Sequence, residues 1–319
     1  MKFAITHPLI THPYHPDFVT AAGIALLART AEDAGFDGYG FTDHPAPSQE
    51  WLDAGGHDAL DPFVALAFVA AATTTLRLVP NIVVLPYRNP FVVAKAGATL
   101  DVLSGGRFTL ATGAGYLEAE YAALGVDHAS RNELFDEAID VIKAVWTGDS
   151  VAFEGRTFTA ADVTAHPRPI SQPHPPIWIG GNSAGARRRV AERADGWAPF
   201  PAHPLMASYI KTAALDSMEK LAAAIDDLHR RLEANDRDPS SVDISFACRA
   251  GGNPAKDTFD ADAHLEGLQE LASLGVTWVQ FAPPGDSLER AADTISRYGE
   301  LVIAPHRGSG GPSGSGEPG

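Results

Sequence analysis

From Ile177 to Arg189 the chain reads Ile-Trp-Ile-Gly-Gly-Asn-Ser-Ala-Gly-Ala-Arg-Arg-Arg. An apolar strand runs into paired glycines, and an Asn-Ser pair then opens a helix. Gly180 and Gly181 let the backbone approach a ligand with no Cβ in the way. Asn182 or Ser183 can cap the helix, whose free N–H groups face the same ligand. A helix N-terminus built this way attracts phosphate. The spacing points to a phosphorylated cofactor at the end of a strand, although the same turn also serves as a plain tight connection.

Other segments could share that cofactor. Thr42-Asp43-His44-Pro45 closes an apolar run. His44 can take or give a proton near neutral pH, and Asp43 can bind a ring nitrogen or orient a neighbour. A third strand carries Asn81 and Ile82. Thr112-Gly113-Ala114-Gly115-Tyr116 ends a fourth and again offers bare backbone. The loop His7–Pro16 holds His7, His12 and His15. A metal would need three converging imidazoles with supporting partners, and this spacing matches no zinc pattern, so no metal is expected. A substrate-side wall of His7, Tyr14 and Trp51 is the better reading, with the loop 45–60 as a lid.

These residues need a scaffold that brings strand ends together. Strand patterns at 2–5, 38–42, 77–85, 107–112, 177–179, 196–200, 242–249 and 277–281 alternate with helical patterns. The helices are expected at 17–34, 62–73, 90–103, 130–146, 184–194, 217–233, 262–274 and 288–303. Eight β–α pairs are the count of a (β/α)8 TIM barrel, whose chemistry sits at the C-terminal strand ends. Gly35, Gly105 and Gly275 read as helix C-caps at the opposite face. The barrel would be one domain over 1–306, with an insertion at about 148–176 that contains a hairpin at 151–158. The Gly/Ser/Pro-rich tail 307–319 is expected to be disordered.

Composition bounds the partners. The 319 residues carry a formal charge of -16, which repels nucleic acid and anionic membrane. The longest apolar run, 62–72, is too short to span a bilayer. Cys248 is the one cysteine, so internal disulfides and cysteine-based metal clusters are excluded, and it reads as a small buried strand residue. No signal peptide is visible before the first strand, and a cytoplasmic protein is expected.

Asp43-His44, the run from Asn89 to Lys95, the run from Thr99 to Arg107 (Thr-Leu-Asp-Val-Leu-Ser-Gly-Gly-Arg), the Gly113–Tyr116 segment and the Pro173–Ser183 segment together resemble the luciferase-like monooxygenase superfamily. The similarity is to its coenzyme F420-dependent branch, and it is strongest over residues 1–200. The Leu100–Arg107 run is a superfamily marker of structural character. The resemblance implies a barrel with insertions, often a homodimer, with the deazaflavin lying across the strand ends. It implies that His44 moves a proton and that Asp43 meets the deazaflavin head group. Asn81-Ile82 falls where many relatives carry a non-proline cis peptide. Thr112, Gly113, Gly115 and Tyr116 would line the cofactor's side chain. Gly180, Gly181, Asn182 and Ser183 would hold its phosphate. Arg187, Arg188 and Arg189 either serve its acidic tail or form a solvated helix face. The implied activity is hydride transfer between the deazaflavin C5 and a small organic substrate. An FMN-dependent monooxygenase and a non-catalytic cofactor-binding barrel are the alternatives.

Overall fold

The computed structural model describes residues 1–308. Its strands are β1 (Lys2–Thr6), β2 (Gly38–Gly40), β3 (Arg77–Leu78), β4 (Val83–Val84), β5 (Leu110–Gly113), β6 (Val151–Glu154), β7 (Thr159–Val163), β8 (Ile177–Gly180), β9 (Gly196–Ala198), β10 (Asp243–Phe246) and β11 (Trp278–Phe281). Nine of them form one parallel sheet in the order β3-β2-β1-β11-β10-β9-β8-β5-β4, so the first and last strands are neighbours. The sheet is curled. Its β3 edge meets the approach to β5, where the Leu78 N–H donates to the Arg107 carbonyl at 2.8 Å and the Thr109 N–H to the Leu78 carbonyl at 3.0 Å. The expected third strand is two short strands, β3 and β4, and the Asn81–Ile82 peptide between them is cis.

The helices are α1 (Ala21–Asp33), α2 (Gln49–Asp53), α3 (Pro62–Ala72), α4 (Pro90–Ser104), α5 (Glu118–Ala123), α6 (Arg131–Thr147), α7 (Ala184–Arg193), α8 (Pro204–Tyr209), α9 (Met218–Glu233), α10 (Ala261–Ser273), α11 (Leu288–Tyr298) and α12 (Ala304–Gly308). Starts follow local chemistry. Asp61 and Asn89 accept from the first free N–H groups of α3 and α4, and a proline follows each cap. Gly105 ends α4 with φ +71, a left-handed turn that disfavours a side chain. The short helices α2, α5 and α8 were not expected; each lies in a loop beyond a strand's C-terminal end, too short to show a period. Arg307 and Gly308 of the expected tail finish α12, and the rest of that tail lies outside the described residues.

Inside the sheet, Ala4, Val79, Ala111, Trp178 and Trp278 form a cluster of their own, against which Ile82 packs. The two indole rings meet edge to face, 5.3 Å apart at 73°. Small residues make the space: a Cβ on Gly196 would lie 2.2 Å from the Trp178 ring. Neither indole N–H has a hydrogen-bond partner among the described residues. The Leu100–Arg107 run is structural, as expected. Asp101 accepts from the Ile170 and Ser171 N–H groups at 2.8 and 2.9 Å and so ties the insertion to α4. Arg107 donates to the Ala70, Thr73 and Leu76 carbonyls at the end of α3. The inserted hairpin is longer than its expected 151–158 span, pairing β6 with β7 out to Val163.

Candidate active site

A cavity of about 830 Å³ opens at the C-terminal ends of the strands. Thr42, Asp43, His44, Asn81, Ile82, Gly113, Gly115, Tyr116, Gly180, Gly181 and Ser183 are all in its wall. Most of the residues singled out in the sequence therefore converge.

His44 follows β2, with its Nδ1 3.2 Å from Glu120 Oε2. A carboxylate only accepts, so Nδ1 carries a proton, and in the neutral form of the ring the lone pair is on Nε2. Nε2 makes no hydrogen bond within the described residues and is left for a ligand. Glu120 sits on α5, 2% exposed, and also accepts from the Ala46 N–H at 3.3 Å and the Tyr87 hydroxyl at 3.5 Å. Trp51 packs on the His44 ring at 4.6 Å. His57 stands edge-on to His44 at 5.0 Å and also lines the cavity. Burial holds the His57 imidazole below its ordinary pKa.

The Asp43 carboxylate accepts from the Val84 N–H at 2.9 Å and from Arg88, with Nη2 at 2.6 Å and Nε at 3.1 Å. Burial pushes its carboxyl up, against the opposing pull of Arg88. These three bonds make Asp43 a brace between β2 and β4, while it stays in the cavity wall.

Gly113 and Gly180 differ from the reading of bare backbone kept for a ligand. A Cβ on either would lie 2.3 or 2.6 Å from Ile82 Cδ1. They leave room for the Ile82 side chain, which projects between β5 and β8 and floors the cavity. Asn81 Nδ2 donates to Thr6 Oγ1 at 2.8 Å, both residues being in the wall. Gly115 has φ +67, and a Cβ there would strike Val84 at 2.6 Å. Burial pushes the Tyr116 phenol up to about 12.

At the other end of the wall, Gly181 has φ +100 and open space where a Cβ would be, its nearest neighbour 4.0 Å away. Ser183 is the cap of α7, accepting from the Ala186 N–H at 3.1 Å. Arg131 and Arg189 line the cavity beside this turn, and the buried His128 Nε2, also in the wall, has no partner among the described residues. Arg189 is held by Asp136 at 2.6 Å. Arg187 and Arg188 lie outside the wall, paired with Asp227 and Glu192.

Five expected site residues are not in the wall. Asn182 is 0% exposed: its amide donates to the Phe200 and Ala213 carbonyls and accepts from the Phe200 N–H. It ties the turn to the loop after β9 and is not open to a ligand. Thr112 is buried and donates to the Val83 carbonyl at 2.8 Å. Both His7 nitrogens are taken, by the Tyr39 hydroxyl at 2.7 Å and the Phe18 carbonyl at 2.9 Å, and burial lowers its pKa to about 4. Tyr14 is exposed, and Trp51 backs His44 from behind the wall. The expected substrate wall of His7, Tyr14 and Trp51 does not form. Among the described residues no group of three or more His, Cys, Asp or Glu could hold a metal, and no helix is long and apolar enough to cross a membrane.

A family model described as luciferase-like monooxygenase matches residues 1–263, and the chain belongs to that family. Its relatives divide by cofactor. It is 27% identical to an F420-dependent glucose-6-phosphate dehydrogenase of Nakamurella multipartita over 318 residues, covering 88% of this chain and 91% of that one. It is 31% identical to an FMNH2-dependent dimethylsulfone monooxygenase of Pseudomonas putida over 214 residues, covering 66% of this chain and 53% of that one. The fold matches the crystal structure of the monooxygenase RslO1 from Streptomyces bottropensis with a TM-score of 0.78 at 20% identity, over 96% of this chain and 100% of that one.

Proposed function

We propose that this chain is an F420-dependent oxidoreductase, moving a hydride between the deazaflavin C5 and a small organic substrate. The Glu120–His44 pair carries the reading: a buried carboxylate fixes one imidazole nitrogen and leaves the other facing a large cavity. Hydride transfer to or from an alcohol or carbonyl leaves one proton to be moved, and such a pair is built for that task. The sheet is read as a closed eight-unit barrel, with β3 and β4 as one broken strand and the Leu78–Phe108 bridge as the seam.

The wall fits the cofactor. Ile82 supplies a flat apolar floor for a ring system, between glycines that keep it level. Arg131 and Arg189 bring two guanidinium groups to the wall beside this turn, which supports a place for an acidic tail. Gly181 leaves open space beside Ser183 at the start of α7. When bound, the deazaflavin supplies or accepts the hydride. His44 then holds or gives the proton at Nε2, Glu120 keeps the ring in that tautomer, and Trp51 limits its rotation. The Asp43–Arg88 brace keeps the β2 and β4 ends in register.

The Pseudomonas relative supports an FMN-dependent monooxygenase as the second reading. Equilibrium titration of the purified chain with F420 and FMN side by side separates the two. F420 is expected to bind about tenfold tighter or more, roughly 1.4 kcal/mol. Tighter FMN binding overturns the assignment.

A further inference from the structure

We infer that a second cleft, at the N-terminal ends of the strands and so at the opposite end of the sheet from the cavity described above, binds a small dianionic oxyanion of the phosphate type. This cleft has a volume of about 330 Å³. Three strand starts line it: Lys2 of β1, Arg77 of β3 and Trp278 of β11, together with Glu32, Asp37 and Arg307. The strand order β3-β2-β1-β11 sets these starts side by side, with Lys2 in register with Trp278 and Arg77 in register with Gly38 of β2. Arg307 comes from α12, at the other end of the described chain.

The carboxylates of the cleft are already used. Glu32 accepts from the Thr74 and Thr75 N–H groups at 2.8 and 2.6 Å and from the Thr75 hydroxyl at 2.7 Å. Asp37 accepts from the Phe3 N–H at 2.8 Å and from Arg307 Nη2 at 3.0 Å. Two cations are left without a counter-charge. Lys2 Nζ lies over the Trp278 ring, 5.1 Å from its centroid, and makes no hydrogen bond or ion pair among the described residues. Arg77 spends Nε and Nη2 on neutral oxygens, the Thr109 hydroxyl and the Phe108 carbonyl, and its Nη1 makes no hydrogen bond among the described residues. Burial opposes the Arg77 charge and lowers its pKa, with Asp101 and Asp243 pulling the other way. Trp278 is 1% exposed, and its buried indole N–H has no partner among the described residues. A half-buried guanidinium with no counter-charge is costly, and an anion in this cleft would offset that cost.

The donors decide the kind of anion. An open arginine N–H and a three-donor ammonium are separate cations on different strands, not one planar fork. A single carboxylate is best met by such a fork. A phosphate group, with a charge of up to about −2 and three or more acceptor oxygens, can face both cations at once. Trp278 and Phe36 are buried, so the cleft offers no open ring face for a nucleotide base to stack on. The occupant is therefore the free ion or a small phosphomonoester. On a chain with a formal charge of -16, such a cleft stands out as an unneutralised positive spot.

Calorimetric titration of the full chain with inorganic phosphate, glycerol 3-phosphate and acetate, at constant ionic strength, tests this without any cofactor. Phosphate should bind saturably with a Kd of about 1 mM or tighter, and acetate at least tenfold more weakly. Lys2 is exposed and holds no other residue by a hydrogen bond, so Lys2→Met and Lys2→Glu should stay folded. Each should weaken phosphate binding by about tenfold or more. Arg131 lies in the wall of the other cavity, so Arg131→Gln should leave this binding unchanged. Tighter binding of glycerol 3-phosphate than of phosphate points to a phosphomonoester as the occupant, and the reverse points to the free ion; either supports the inference. No saturable phosphate binding, acetate binding as tight as phosphate, or an unchanged affinity in both Lys2 variants overturns it. A loss in Arg131→Gln with none in the Lys2 variants would put phosphate in the other cavity and overturn it equally.

Discussion

His44 has one nitrogen given to Glu120 and one left open, so its variants separate chemistry from binding. His44→Ala should lower kcat by roughly 10²–10⁴-fold while the cofactor Kd changes little. Equal losses in kcat and in cofactor affinity would make His44 a binding residue. Glu120→Gln keeps the shape but places a neutral amide against Nδ1, losing the charge that favours the imidazolium. A fall in kcat of about tenfold or more, with an altered pH profile of kcat/KM, is expected, and an unaltered profile would remove Glu120 from proton handling. The sequence made His44 legible because it ends an apolar strand. Glu120 was not legible: it sits in a short acidic helix with no period, 76 positions away in the chain. Asp43 was visible but misread, because its partner Arg88 lies 45 residues on and no spacing rule joins them.

At the scale of elements, the meeting of β4, β5 and β8 depends on one side chain fitting over two glycines. Gly113→Ala should destabilise the chain by about 1–3 kcal/mol, since a Cβ there would stand 2.3 Å from Ile82 Cδ1. Ile82→Ala removes the colliding atoms, so the double variant should be more stable than the sum of the single losses allows. Urea unfolding of the four proteins in a double-mutant cycle measures the coupling, and additive losses would refute the contact. The strand–helix alternation and the C-cap glycines were readable because each follows from local chemistry. The break of the third strand, and the reason for glycine at 113 and 180, belong to contacts between strands. Arg107 was readable as structural, but its grip on the end of α3 was not.

For the whole molecule, acid stability follows from histidines buried as neutral rings. His7, His57, His128 and His264 all have lowered pKa values, with burial the largest cause in each. The unfolded chain therefore binds more protons than the folded one below the ordinary histidine pKa of 6.5. Stability is fully present above that pH and is lost as pH falls toward the folded values. For His7, with a folded value of about 4, the loss across that window is about 3 kcal/mol. Thermal unfolding followed from pH 7.5 to 4.5 should show Tm falling, and His7→Gln should flatten the slope. A Tm that is constant over this range, or that rises toward acid pH, would contradict the neutral burial.

The paired indoles under the cavity floor give the molecule an optical signature. Two chromophores held at 5.3 Å and 73° share their excited states, so Trp178 and Trp278 should produce a signed pair of bands in the ultraviolet circular dichroism of the folded chain. Trp278→Phe should abolish that couplet. Because Ile82 rests on the same cluster, a ligand that presses on the floor should perturb its amplitude, and binding could be followed by light in a protein with no label attached.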